Sequence, residues 1–233
     1  MSHLNKRRRD TRLEIICYAA KCFAESGYSA TSIKSIAQGL DISPGSFTFY
    51  FPSKDHLLYV LVELLLDFQQ MLMDNAVAGK DHEMLSYCLE ITSMAALCAE
   101  SEKSRDFYVS IYSSPMTMEL VRQADTEKTR RIFADLHPEW GDIEWRATEN
   151  IVSGIEYSAI TANEEIIPLD KQVEMTLNSI MMLYGVPENI RRKRIDEVFA
   201  IEYRELGRSI LAEFRAYLET LSVEDLKTIS AEN

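Results

Sequence analysis

The chain has 233 residues, 46% of them hydrophobic, and a formal net charge of −12. That length holds one large domain or two small ones around a sizeable core, and an acidic chain would not be chosen as a nucleic-acid binder on its total charge. With no run of 18 apolar residues it is not expected to span a membrane, and no apolar segment follows the charged start MSHLNKRRRD, so no secretory signal is expected there.

The charge is unevenly spread. Residues 1–54 hold eight Lys/Arg against four acids, a net +4, so the remainder carries −16. Only the N-terminal quarter can approach phosphates favourably, and the acidic remainder would orient the molecule by repulsion. Within residues 1–10 the run Lys6-Arg7-Arg8-Arg9 reads either as an arm reaching phosphate or minor groove, or as a solvated terminus.

Arg12 to Ser26 places Leu13, Ile16, Cys17, Ala20, Phe23 and Ala24 on one helical face, and Gly27 ends it. Thr31 is expected to cap a short second helix whose inner side is Ile33, Ile36, Ala37 and Leu40. Ser43 caps a third, with Pro44 at its first position and Phe47 and Phe51 one turn apart. Ser53 caps a fourth, with Asp55 in its first turn and an apolar stripe running to about Ala78.

The second and third helices fit a helix-turn-helix. Ala37 is small where the helices would touch. Asp41, four residues on, tolerates positive φ at a cost of roughly 1 kcal/mol. Ile42 and Phe47 are apolar plugs. The third helix would then enter the major groove, with Ser43, Gly45, Ser46, Thr48 and Phe49 exposed at base edges. None is Arg, Asn or Gln, so readout should lean on hydroxyls, a Phe49 contact with a thymine methyl, and DNA shape. Thr31, Ser32, Lys34, Tyr50 and Lys54 are placed to hold phosphates.

Further helices are expected at about 81–101, 103–113, 116–136, 143–163 and 168–184, with a loop from His137 to Asp142. The stretch from about 188 to 221 reads as one more helix with stripe Ile195, Phe199, Tyr203, Leu206, Ile210, Phe214, Tyr217 and Leu221. It covers fewer than four heptads, so docking on the protein's own body is expected, and Gly207 is a place for a kink. The four cysteines lack CxxC spacing and read as reduced thiols of a cytoplasmic protein. The four histidines are scattered, with no metal-ligand spacing, nucleophile motif or phosphate loop. No enzyme, metal or cofactor is expected, and the carboxylates look like solvated helix faces.

The stretch SIAQGLDISPGSFTFYFPSKDHLL, with the helix before it, resembles the N-terminal DNA-binding domain of the tetracycline-repressor (TetR) family of bacterial regulators. The likeness covers Arg12 to about Val60 and rests on Ile36-Ala37, Ile42-Ser43, Gly45, Phe47, Tyr50-Phe51 and Ser53-Lys54. Two positions depart from the pattern: Asp41 stands where Gly is usual, and Thr48 where a phosphate-contacting Tyr is usual. The resemblance implies an all-α protein: a helix-turn-helix domain at 1–54 and a helical effector-binding and dimerisation domain at 55–233. It implies a homodimer on a double-stranded, palindromic DNA operator, released by a small-molecule effector, with no membrane partner. Alternatives are the same fold answering to a protein partner or acting as an activator, and a helical interaction protein that no longer binds DNA. Among helices 4 to 8 the resemblance implies a ligand pocket, with Ser43, Pro44 and Gly45 opening the DNA-reading helix. Pocket candidates are Phe68, Met71, Met94, Phe107, Tyr108, Tyr112 and Trp145, residues that are equally at home in a core. The implied dimer face is Ile151, Ile155 and Ala159 with Val173, Leu177, Ile180, Met181 and Tyr184.

Overall fold

A computed structural model describes residues 3–77, 82–222 and 225, and all regular structure among them is helical. Helix α1 (His3–Ser26) starts earlier than the expected Arg12, and the side chains of Lys6 to Arg9 lie outside the described residues. It packs with α2 (Ile33–Gly39) and α3 (Pro44–Tyr50) around Ile15, Ile16, Phe23, Ile36, Ala37, Phe47 and Phe51. The start of α4 (Lys54–Ala76) closes this core with Leu57 and Leu58. Three caps fix the entries to these short helices, where a lost cap costs about 1 kcal/mol. Ser43 Oγ accepts the Ser46 N–H at 3.0 Å, and Ser53 Oγ accepts the His56 N–H at 3.2 Å. The cap of α2 is Ser32, not Thr31: its Oγ accepts the Ser35 N–H at 3.0 Å.

Downstream lie α5 (His82–Glu100), α6 (Glu102–Ser113), α7 (Pro115–Phe133) and a 3-10 turn at Ala134–Leu136. They are followed by α8 (Asp142–Ile160), α9 (Leu169–Leu183), α10 (Glu188–Phe199) and α11 (Tyr203–Thr220). Helix α5 is the central member. It is buried along most of its length and touched by α4, α6, α8, α9, α10 and α11. Helix α4 is the one described helix long and apolar enough to cross a membrane, and more than half of that stretch is buried in the protein's own core.

The stretch expected as one helix over 188–221 is two, separated at Ala200 to Glu202. The bend lies before Gly207, which instead permits close approach: a Cβ there would lie 2.6 Å from the Ser93 carbonyl oxygen of α5. Helix α11 thus docks on α5, α1 and α4, with the Phe214 ring 5.5 Å from that of Phe68. All four cysteines are free thiols, and burial pushes those of Cys88 and Cys98 up to about 12.

Candidate nucleic-acid interface and interior cavity

The turn between α2 and α3 is built on one strained residue. Asp41 has φ +53°, the only non-glycine in the left-handed region among the described residues. Its N–H reaches the Gln38 carbonyl at 3.3 Å, and the next N–H, of Ile42, reaches the Ala37 carbonyl at 3.0 Å. These bonds close the end of α2. They swing the chain so that Phe47 is buried while Pro44, Gly45, Ser46, Thr48 and Phe49 face out from α3. Phe49 is 65% exposed, a costly place for an aromatic ring on a solvated helix, and meets Tyr50 edge-on at 5.1 Å. Ser43 and Ser46 bond each other at 2.9 Å, and the Thr48 hydroxyl donates to the Gly45 carbonyl at 3.1 Å. Its proton is therefore committed within the helix, and Thr48 meets a phosphate oxygen only by breaking that bond.

Ser32 and Lys34 are exposed at the start of α2, as a phosphate contact requires. Thr31 is not: it is 4% exposed and its hydroxyl donates to the Gly27 carbonyl at 2.8 Å. Lys54 holds the fold as well as offering charge. Its ammonium donates to the carbonyls of Tyr28 and Thr31, both at 2.9 Å, and lies 3.9 Å from the Tyr28 ring centre. Burial lowers its pKa. Tyr28 in turn donates to Asp55 at 2.5 Å. The 27–31 loop is thereby tied to the first turn of α4.

The same loop is gripped from the other side by α6. Asp106 accepts the Ser29 N–H at 2.8 Å and the Ser29 hydroxyl, Lys103 donates to the Glu25 carbonyl, and Phe107 faces Phe23 at 6.1 Å. One turn further on, Tyr108, Ile111 and Tyr112 of α6 line a cavity shared with α4, α5, α7 and α8. Three of the seven expected pocket residues, Met94, Tyr108 and Tyr112, line it. The other four do not. Phe68 packs against Phe214 and Tyr217, Met71 is 47% exposed, Phe107 belongs to the joint with α1, and Trp145 stacks near Tyr184 and meets Trp140 edge-on. Aromatic content does not say which way a side chain faces.

The polar side of the cavity was not anticipated. Asp125 and Glu156, which line it, and Glu149 beside them, three carboxylates expected on solvated faces, are buried. Each offers an oxygen within 4.8 Å of the others. Tyr112 donates to Glu156 Oε2 at 3.0 Å, and Tyr184 to Glu149 Oε2 at 2.8 Å. Lys128 donates to Glu90 at 2.7 Å and to Asp125 at 3.1 Å. Burial, then the neighbouring Asp125, pushes the Glu149 carboxyl up to about 8, and the same two causes with Glu149 push Glu156 well above the carboxylate range. Burial alone would lower the Lys128 ammonium, but Asp125 and Glu90 outweigh it and hold it raised. The signal was available in the spacing. Trp145, Glu149, Val152, Glu156 and Ala159 run 4-3-4-3, so the two glutamates occupy core positions of α8.

Of the expected dimer face, Ala159, Val173, Leu177, Ile180, Met181 and Tyr184 are buried in the chain's own core, each under 5% exposed. They are not available to meet a second molecule. The exposed apolar face of α8 and α9 is the neighbouring stripe. Ile151 is 54% exposed, Met175 50% and Met182 57%, with half-buried Ile155 and a groove over Gly154 and Ser158.

A capped three-helix unit whose last helix projects an exposed surface beyond a tight turn has the form of a helix-turn-helix DNA-binding domain. Residues 15–60 match the profile of the bacterial regulatory proteins of the tetR family. It is 29% identical over 128 residues to the HTH-type transcriptional regulator HbdR of Aromatoleum sp. (strain CIB), an overlap of 53% of this chain and 55% of that one. It is 30% identical over 123 residues to the uncharacterized HTH-type transcriptional regulator YuxN of Bacillus subtilis (strain 168), an overlap of 53% of this chain and 42% of that one. The chain thus spans about half the length of the curated relatives it matches. Among solved structures, Salmonella enterica GusR aligns at 21% identity and TM-score 0.48, covering 76% of this chain and 95% of GusR. A gamma-butyrolactone receptor (ArpA-like protein) aligns at 16% identity and TM-score 0.42, covering 91% of this chain and 99% of that one.

Proposed function

We propose that the protein is a dimeric transcriptional regulator, a repressor that leaves a palindromic operator when a small molecule enters the cavity behind α6. The observation that carries this reading is the double use of α6. Its Asp106, Phe107 and Lys103 hold the DNA-binding head, and its Tyr108, Ile111 and Tyr112 line the cavity. A ligand that binds better when α6 is displaced shifts the population toward heads that are mis-spaced for the operator, by its difference in affinity for the two states. A dimer fits the head's chemistry. One α3 without a bidentate base reader binds weakly, and two heads about one DNA turn apart add their contacts. The exposed stripe of Ile151, Met175 and Met182 is the surface on which we place the second copy.

The test is a gel-shift salt series with the DNA upstream of the protein's own gene, together with analytical ultracentrifugation. A dimer that shifts this DNA at low salt and loses affinity steeply as salt rises supports the reading. Ile151→Glu should give a monomer with at least about tenfold weaker operator binding, since charge in an apolar interface core is costly. Unchanged mobility at the lowest salt, or a monomeric wild type, overturns it.

A further inference from the structure

We propose that the interior cavity is a receptor for an organic ammonium ion: a protonated amine held by Asp125, Glu149 and Glu156, with its apolar body against α4, α5 and α6. This deepens, and rests on, the reading of these helices as an effector domain.

The geometry comes first. A nitrogen centred among three acceptor atoms that all lie within 4.8 Å of one another is no more than about 2.8 Å from each, which is the length of a charge-assisted N–H···O bond. An alkylammonium has three N–H donors and no acceptor, so it matches three carboxylate oxygens. The site also holds acceptors with nothing to accept. Glu149 Oε1 is fully buried and has no hydrogen-bond partner. The Tyr87 hydroxyl, on a side chain 3% exposed that lines the cavity and faces Glu156 and Glu149, has none either. A buried polar atom left so costs about 1–3 kcal/mol, and an incoming donor recovers that cost.

Charge points the same way. Glu90, Asp125, Glu149 and Glu156 face two cations, Lys128 and Arg122, the latter bonded to Ser153 at 3.0 Å. Ionising all four acids would leave two negative charges uncompensated, so burial keeps Glu149 and Glu156 protonated, and an entering cation can take the place of those protons. The rest of the lining selects which cation. Val62, Leu65, Ile91, Met94, Ile111 and Val121 form an apolar wall. Such a wall covers an alkyl or aryl body and gives nothing to a hydrated metal ion, which needs six or more oxygen ligands or retained waters. Tyr112 and Tyr184, each donating to a glutamate, hold the carboxylates in place and so reduce what binding must order.

The test uses the purified full-length protein and isothermal calorimetry with thermal unfolding. Hexylamine, phenethylamine and 1,4-diaminobutane are compared with hexanol, hexanoate and the chlorides of magnesium, calcium and manganese. At least one amine should bind and raise the melting temperature, and its neutral and anionic counterparts should not. Glu156→Gln keeps the acceptor for Tyr112, removes one charge and should weaken amine binding at least about tenfold. Because it also removes an acid that folding must keep protonated, its unfolding in the absence of amine should be no earlier than that of the wild type, so lost binding is not lost folding. Tyr87→Phe serves as a second variant, with a smaller loss. No response to any amine, equal response to hexanol or hexanoate, a response to divalent metals alone, or amine affinity unchanged in Glu156→Gln overturns the assignment. An operator gel shift with the bound amine is read separately: binding without release of DNA removes the effector reading and leaves the ammonium site standing.

Discussion

Replacing Glu149 by glutamine should stabilise the protein at neutral and alkaline pH and leave it nearly unchanged in acid. The Glu149 carboxyl lies at about 8 in the folded chain against an ordinary 4.5, because burial and Asp125 disfavour its charge more than Tyr184, Lys128 and Arg122 favour it. The other titratable groups around it are Glu156 on its own helix and Tyr87 and Glu90 on α5. An acid raised by folding has its stabilising contribution in full below 4.5, and loses it as pH rises through about 8. The cost of holding the proton against the unfolded chain's tendency to release it is about 1 kcal/mol at pH 5, about 3 at pH 7 and approaching about 5 at pH 9. Glutamine never ionises and still accepts from Tyr184, so it removes most of this cost. Relaxation and the shared titration with Glu156 reduce the gain to on the order of 2–3 kcal/mol at pH 7. Urea unfolding followed by far-ultraviolet circular dichroism, at fixed protein concentration from about pH 5 to about pH 9, reads the difference. Parallel pH dependence in the two proteins, or a variant less stable than wild type at about pH 9, would refute the reasoning.

Other outcomes follow from the head and from the packing of α11. Asp41→Gly should raise stability by roughly 1 kcal/mol, the cost of a positive φ, a melting shift of a few degrees in a chain of this size; no shift would mean that the turn carries no strain. Gly207→Ala forces a Cβ to 2.6 Å from the Ser93 carbonyl. It should destabilise by about 1–3 kcal/mol through overpacking, despite the better helix propensity of alanine, and a neutral result would mean that α11 is not seated on α5. Phe49→Ala should leave the melting temperature alone, since the ring is 65% exposed, and should change which operators are preferred; a uniform loss across sequences would remove Phe49 from base readout. Lys54→Ala should weaken binding to every DNA and lower the salt slope by about one. Because its ammonium holds two loop carbonyls, it should also lower the melting temperature of the head, and an unchanged melt would show that those bonds contribute nothing.

What the amino-acid sequence determines here is local. Helix-turn-helix geometry is set within about twenty residues by a small Ala37, a left-handed Asp41, a Ser-Pro entry and one-turn apolar spacing. Each of those acts on neighbours in the chain, so the turn and the caps at Ser43 and Ser53 were legible. Even there the hydroxyls of Thr31 and Thr48 and the ammonium of Lys54 look free on paper, and their partners appear only when loops close on them. The C-terminal helices were legible as helices, because periodicity marks one apolar stripe, but periodicity does not say what covers that stripe. Val173, Leu177 and Ile180 are buried in the chain's own core, and of the expected face Ile151 stays exposed, beside Met175 and Met182. The buried acids are the sharpest case. A glutamate at a core position of a helix is ordinarily a sign that the face is solvated. Asp125 meets Lys128 within α7, but only the packing of α6, α8 and α9 brings Tyr112 to Glu156 and Tyr184 to Glu149, supplying the hydrogen bonds that let these carboxylates remain inside. The partners of the two glutamates lie 44 and 35 residues away in the chain, so tertiary structure decides whether they can be buried.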